Sequence, residues 1–118
     1  DLAPKAGRIS AETSLNVPTE LLRIAMPAVT DWIVDIKDMN PDIYRAYTGC
    51  DNALVKENLR ILAEAGRCGD VVVRVPFIPG YNTEEDCRRS IEELRAIGPW
   101  KRCDPFPYVV KEEADPPT

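Results

Sequence analysis

Three strand-like runs of the chain carry charge at alternate positions: "RISAET" with Arg8 and Glu12, "IVDIK" with Asp35 and Lys37, and "VVVRVPF" with Arg74. Side chains alternate along a strand, so Asp35 and Lys37 share one face while Val34 and Ile36 share the other. Neighbours on one face lie about 7 Å apart at the backbone, so their tips can meet or reach one bound group. By the same count Arg74 falls with Val72 and Pro76, opposite Val71, Val73 and Val75; Glu12 falls with Arg8 and Ser10, opposite Ile9, Ala11 and Thr13. If the charged faces point the same way, Glu12, Asp35, Lys37 and Arg74 converge in one interior near the C-terminal ends of their strands. Parallel α/β proteins place ligand sites there. The bland alternative is an ion-pair network that only fixes register. Buried pairs stabilise weakly, because desolvation costs several kcal/mol per ion. Clustering of such charges at one end of a sheet therefore favours a ligand site.

The elements that must hold these residues follow from periodicity. Strands are expected over Arg8–Thr13, Ile33–Lys37 and Val71–Phe77, and a proline-limited fourth over 103–110. Pro18 opens a helix with Leu21, Leu22, Ile24, Ala25 and Val29 on its apolar side, and Asp42–Tyr47 forms a short one closed by Thr48-Gly49. Leu54, Val55, Asn58, Leu59, Leu62 and Ala65 mark a helix over Asn52–Ala65, ended by Gly66. Asn82-Thr83 starts another through Ala96, with Thr83 and Asp86 spaced as a capping box and Cys87, Ile91, Leu94 and Gly98 on one stripe. Asn58 is expected to tether a neighbouring loop, and Asn82 to serve a turn and cap. Alternating strands and helices make parallel βαβ units, an α/β fold with too few strands to close. The expected architecture is thus the C-terminal part of an open (β/α) barrel or a portion of an open sheet.

Composition narrows the function classes. A chain of 118 residues suits one modest domain, expected over 1–110 with a flexible tail over 111–118. A net charge of −5 without a basic patch argues against nucleic acid as a partner. No run of about 18 apolar residues is present to span a membrane, and "DLAPKAGRIS" lacks the layout of a signal peptide. Cys50, Cys68, Cys87 and Cys103 are widely spaced, form no CxxC pair and have no histidine beside them in the chain. That pattern excludes a zinc site, reads poorly as a disulfide framework, and leads us to expect a reduced, cytoplasmic protein.

Taken in order, "AETSLNVP", "DWIVDIKDMNPDIYRAYTGCDNALVKENLRIL" and "VVVRVPFIPGYNTEED" resemble the radical S-adenosylmethionine family. More narrowly, they are similar to activating enzymes of glycyl-radical enzymes, such as those of the pyruvate formate-lyase type. The resemblance covers about residues 8 to 98. It implies a partial (β/α) barrel holding a [4Fe–4S] cluster and S-adenosylmethionine, cleaved to a radical that takes a glycine hydrogen from a partner enzyme. By motif, Glu12 and Thr13 would lie by the cofactor's ribose and amino-acid end. Lys37 and Arg74 would pair its carboxylate, two cations for one anion in a low-dielectric interior. Asp35 would orient Lys37 or help bind a monovalent cation. The family's C-x-x-x-C-x-x-C loop is absent, so the cluster ligands are missing from this chain. The chain is expected to represent the C-terminal half of such an enzyme, inactive alone and able to self-associate through an exposed strand edge. Two other readings stand: a cluster-free half-barrel scaffold or binding module, and a lyase using Lys37 as a Schiff-base nucleophile.

Overall fold

The alternation of strand and helix patterns is realised in the computed structural model, which describes residues 8–107. In chain order the elements are β1 (Ser10–Thr13), α1 (Thr19–Ala25), β2 (Asp31–Asp35), α2 (Pro41–Thr48), α3 (Ala53–Glu64), β3 (Val71–Phe77), α4 (Glu84–Ile97) and β4 (Arg102–Pro107). Among the described residues the strands form one sheet in the order β1-β2-β3-β4, and every neighbouring pair is parallel. Doubly wound sheets reverse their strand order at a switch point. This order does not reverse. Crossovers of one hand then leave the helices on one face of the sheet, as in a barrel wall. The last part of the expected fourth strand, Tyr108 and the tail over 111–118 lie outside the described residues.

The buried face of the sheet is built by alternation. Trp32, Val34 and Ile36 from β2 and its exit, Val71, Val73 and Val75 from β3, and Cys103 from β4 are buried against Val55, Leu59 and Leu62 of α3 and Leu94 of α4. Trp100, for which the sequence offered no role, joins this core and donates its indole N–H to the Leu94 carbonyl at 2.7 Å. No helix among the described residues is long and apolar enough to cross a membrane.

Local chemistry explains the helix ends. Asn40 accepts hydrogen bonds from the Asp42 and Ile43 amides at the start of α2, Pro41 sits in the first turn, and Gly49 closes the helix at φ 82°. At α4 the expected capping box is complete: the Asp86 amide donates to Thr83 Oγ1 at 3.1 Å, and the Thr83 amide donates to Asp86 Oδ2 at 2.8 Å. Removing it with Thr83→Ala is expected to cost about 1 kcal/mol. Thermal unfolding followed by circular dichroism should show a Tm lowered by roughly 4–8 °C, the scale for a domain of about this size.

Three expectations need correction. β2 spans Asp31–Asp35 and not Ile33–Lys37, because its pairing with β1 already begins at Asp31 opposite Ser10. Of the apolar side assigned to α1, only Leu22 is buried; Leu21 is 54% and Ile24 73% exposed. This seven-residue helix packs against α3; Ala25 and Val29 are partly buried against the core, while Leu21 and Ile24 face solvent. β1 also starts two residues late, because Ile9 is tied to the turn before β2: its amide donates to Thr30 Oγ1 and its carbonyl accepts from the Thr30 amide at 2.8 Å.

All four cysteines are free, as expected; Cys50 is exposed and Cys68, Cys87 and Cys103 are buried. Burial pushes the three buried thiols above the ordinary range, and for Cys87 the nearby Asp38 carboxylate adds to the effect. Reaction with a disulfide reagent follows thiolate fraction and access. At neutral pH the native chain should therefore release thionitrobenzoate promptly from Cys50 alone, and from the rest only after denaturation.

Candidate functional site

The open face of the sheet carries the charges. Asp35 of β2 stands in register with Arg74 of β3, which in turn stands opposite Asp104 of β4. Lys37 lies two residues past the end of β2, but the ladder continues under it through the Ile36 amide, which donates to the Arg74 carbonyl at 2.9 Å. Alternation therefore survives long enough to return Lys37 to the side of Asp35. Its Nζ donates to Asp35 Oδ2 at 2.8 Å. Arg74 Nη1 lies 3.7 Å from Glu12 Oε2.

A cavity of about 260 Å³ opens at this end of the sheet, lined by Glu12, Thr13, Ser14, Ile33, Asp35, Lys37 and Arg74. All five residues singled out from sequence meet there. Pockets that engulf a drug-sized ligand run to ~300–1,000 Å³. This one suits an amino-acid-sized portion of a larger molecule. Ser14 and Ile33 were missed: Ser14 because it follows the strand, Ile33 because it carries no charge, although it shares the face of Asp35.

The expected low-dielectric interior is not observed. Side-chain exposure is 25% for Lys37, 40% for Asp35, 35% for Arg74 and 69% for Glu12. With that face of the sheet uncovered, water reaches the charges and screens them. Ion pairs so exposed contribute ~0–1 kcal/mol each, so stability gives little reason for this arrangement. One atom stands apart: Asp35 Oδ1 is buried without a hydrogen-bond partner. An unsatisfied buried acceptor costs about 1–3 kcal/mol, and a donor or cation brought by a ligand would relieve it.

Lys37 Nζ is engaged with Asp35 Oδ2 at 2.8 Å, an arrangement that offers a charge-assisted donor to an anionic ligand. An iron–sulfur cluster does not fit at all: among the described residues no three His, Cys, Asp or Glu side chains stand together as a metal site.

Behind the cavity lies a residue that the sequence analysis passed over. Asp38 continues the buried alternation of Val34 and Ile36 and is 1% exposed. A carboxylate at an apolar-face position was the available signal. Asn58 behaves as expected, donating to the Leu15 and Val17 carbonyls at 2.9 Å each. Asn82 does more than cap a turn: it accepts from the Ile78 amide at 2.7 Å and donates to Asp38 Oδ2 and the Pro76 carbonyl at 3.0 Å each.

A parallel sheet with unreversed strand order, helices on one face and a charged cavity at the strand ends defines the wall of an open (β/α) barrel with its ligand end. Comparison with known proteins sharpens this. The homologues of this chain are activating enzymes of glycyl-radical enzymes, in the radical S-adenosylmethionine family. It is 36% identical over 101 residues to the isethionate sulfite-lyase activating enzyme of Desulfovibrio desulfuricans, covering 86% of this chain and 32% of that protein. It is 34% identical over 105 residues to the indoleacetate decarboxylase activating enzyme of Tractidigestivibacter scatoligenes, covering 88% and 33%. The chain thus spans about a third of the length of these relatives. A crystal structure of a domain of pyruvate-formate lyase-activating enzyme from Bacteroides vulgatus shares the fold. Its TM-score is 0.76 at 24% identity, over 92% of this chain and 67% of the other. No family model matches the sequence.

Proposed function

We propose that this chain supplies part of the S-adenosylmethionine site of an activating enzyme whose protein substrate is a glycyl-radical enzyme. The observation that carries the reading is the meeting of Glu12, Thr13, Asp35, Lys37 and Arg74 around one cavity at the strand ends. Lys37 and Arg74 offer charge-assisted donors to a carboxylate. Glu12 and Thr13 offer acceptors to an amine and to ribose hydroxyls. Asp35 holds Lys37 in place, and its unsatisfied Oδ1 accepts from a donor or monovalent cation that arrives with the ligand. When bound, S-adenosylmethionine would supply the radical chemistry, with these residues holding its amino-acid end. Among the described residues no iron–sulfur cluster site is present, and the part proposed for Glu12, Thr13, Asp35, Lys37 and Arg74 is to bind and orient the cofactor.

Isothermal titration of the chain with S-adenosylmethionine tests the reading. We expect saturable binding that is competed by S-adenosylhomocysteine, which keeps the same amino-acid end. Absence of saturable heat up to about 1 mM, where binding energy falls to about 4 kcal/mol, would overturn it in favour of a scaffold that binds no cofactor.

A further inference from the structure

We infer that Asp38 is a positioning residue that holds Lys37 over the cavity, an assignment whose role in binding rests on the S-adenosylmethionine reading above. Asp38 follows Lys37 directly, and its carboxylate is gripped by neutral donors. Oδ1 accepts from the Asn40 amide at 2.9 Å and from Ser90 Oγ at 3.1 Å, and Oδ2 accepts from Asn82 Nδ2 at 3.0 Å. Ser90 Oγ in turn accepts from the Met39 amide at 3.0 Å. Asn52 Nδ2 donates to the Asp38 and Met39 carbonyls at 3.3 and 3.0 Å. The Asp38 side chain thus ties the exit of β2 to the loop after β3 and the body of α4, and Asn52 ties the backbone there to the start of α3.

The consequence falls on Lys37. On its N-terminal side the backbone is held by the last ladder bond, from the Ile36 amide to the Arg74 carbonyl. On its C-terminal side it is held by Asp38. With both neighbours fixed, the Cα–Cβ direction of Lys37 is set onto the face it shares with Asp35, where its Nζ meets Asp35 Oδ2 at 2.8 Å. A binding group is only as well placed as the shell that supports it. The donor pattern around Asp38 is also specific to a carboxylate. In Asp38→Asn one orientation of the new amide sets its nitrogen against Asn82 Nδ2 and the other sets it against the Asn40 amide, donor against donor either way, and Asn82 cannot rotate without surrendering the Ile78 amide.

The test reads Lys37 directly and needs no ligand. The chain is labelled with an acetylating reagent, and the rate at Lys37 is compared with that at exposed Lys101 in the same molecule by peptide mass spectrometry. In Asp38→Asn the Lys37 rate should rise about fivefold relative to Lys101, the scale of one lost hydrogen bond. Leu94→Ala, a core truncation in α4, serves as the destabilised control and should leave the ratio unchanged. An unchanged ratio in Asp38→Asn, or an equal rise in Leu94→Ala, overturns the assignment. S-adenosylmethionine affinity, measured on the same variants, should fall about fivefold in Asp38→Asn for the same reason. Failure of the parent chain to bind the cofactor would remove the functional reading, while the labelling ratio would still decide whether Asp38 places Lys37.

Discussion

Lys37→Met is expected to lower the affinity of the chain for S-adenosylmethionine by about 10- to 100-fold while leaving its Tm nearly unchanged. The affinity loss follows from the bond removed. A hydrogen bond from an ammonium to a carboxylate is worth about 1.5–3 kcal/mol, and each ~1.4 kcal/mol is tenfold in Kd. Methionine keeps much of the stem's apolar contact, so the change isolates the charge. The stability result follows from exposure. The Lys37–Asp35 pair is wet, with side chains 25% and 40% accessible, and such pairs contribute ~0–1 kcal/mol. Arg74 would remain to meet the cofactor's carboxylate, which is why the loss is bounded. Titration calorimetry and a thermal melt on the same preparation check both halves. A variant that binds as well as the parent would show that Lys37 does not touch the ligand.

Much of this site was legible in the sequence because a strand has a period of two. Counting alternate residues from Val34, from Val73 and from Ala11 was enough to predict that Glu12, Asp35, Lys37 and Arg74 share a face, and they line one cavity. β3 was delimited at both ends, since its apolar run is bounded by Asp70 and by Ile78-Pro79-Gly80. The capping box of α4 was likewise local: Thr83 and Asp86 need only each other and the backbone between them. Burial was less legible, because it depends on what covers a face. Nothing in "TELLRIA" distinguishes Leu22, which reaches the core, from Ile24, which is exposed to water. Asp38 was lost for a different reason. Its donors come from Asn40, Asn82 and Ser90, up to 52 residues away, and no local pattern announces that they will close on one carboxylate.

The loop that forms one wall of the cavity supplies the second large effect. After β1 the chain must turn from the sheet towards α1, and it does so through Leu15 at φ 60°, a left-handed conformation unfavourable for a bulky side chain. Leu15 accepts it because its side chain is 1% exposed and its carbonyl is held from below by Asn58. The same amide nitrogen reaches the Val17 carbonyl, so one side chain of α3 spans the turn. Upstream, Thr13 Oγ1 accepts from the Leu15 amide at 2.9 Å, which couples the turn to Thr13 and Ser14 in the cavity wall. Asn58→Ala removes both donations and leaves the Leu15 carbonyl buried without a partner. Stranding a buried acceptor costs about 1–3 kcal/mol, and each lost bond about 1 kcal/mol. Removal of Asn58 Oδ1, itself buried without a partner, returns part of this. The expected net loss is about 2–3 kcal/mol, or a Tm lowered by roughly 10–20 °C at this size. Asn58→Asp should be at least as damaging, since it turns a carboxylate oxygen towards two carbonyls in place of the shared donor. Asn16→Ala, which removes only the bond to the Tyr44 hydroxyl at 3.2 Å, should cost less than half as much. Urea unfolding of these variants gives the energies, and hydrogen exchange at the Leu15 amide reports whether the turn opens before the sheet does. If Asn58→Ala unfolds at the same urea concentration as the parent, the turn is held by the burial of Leu15 alone.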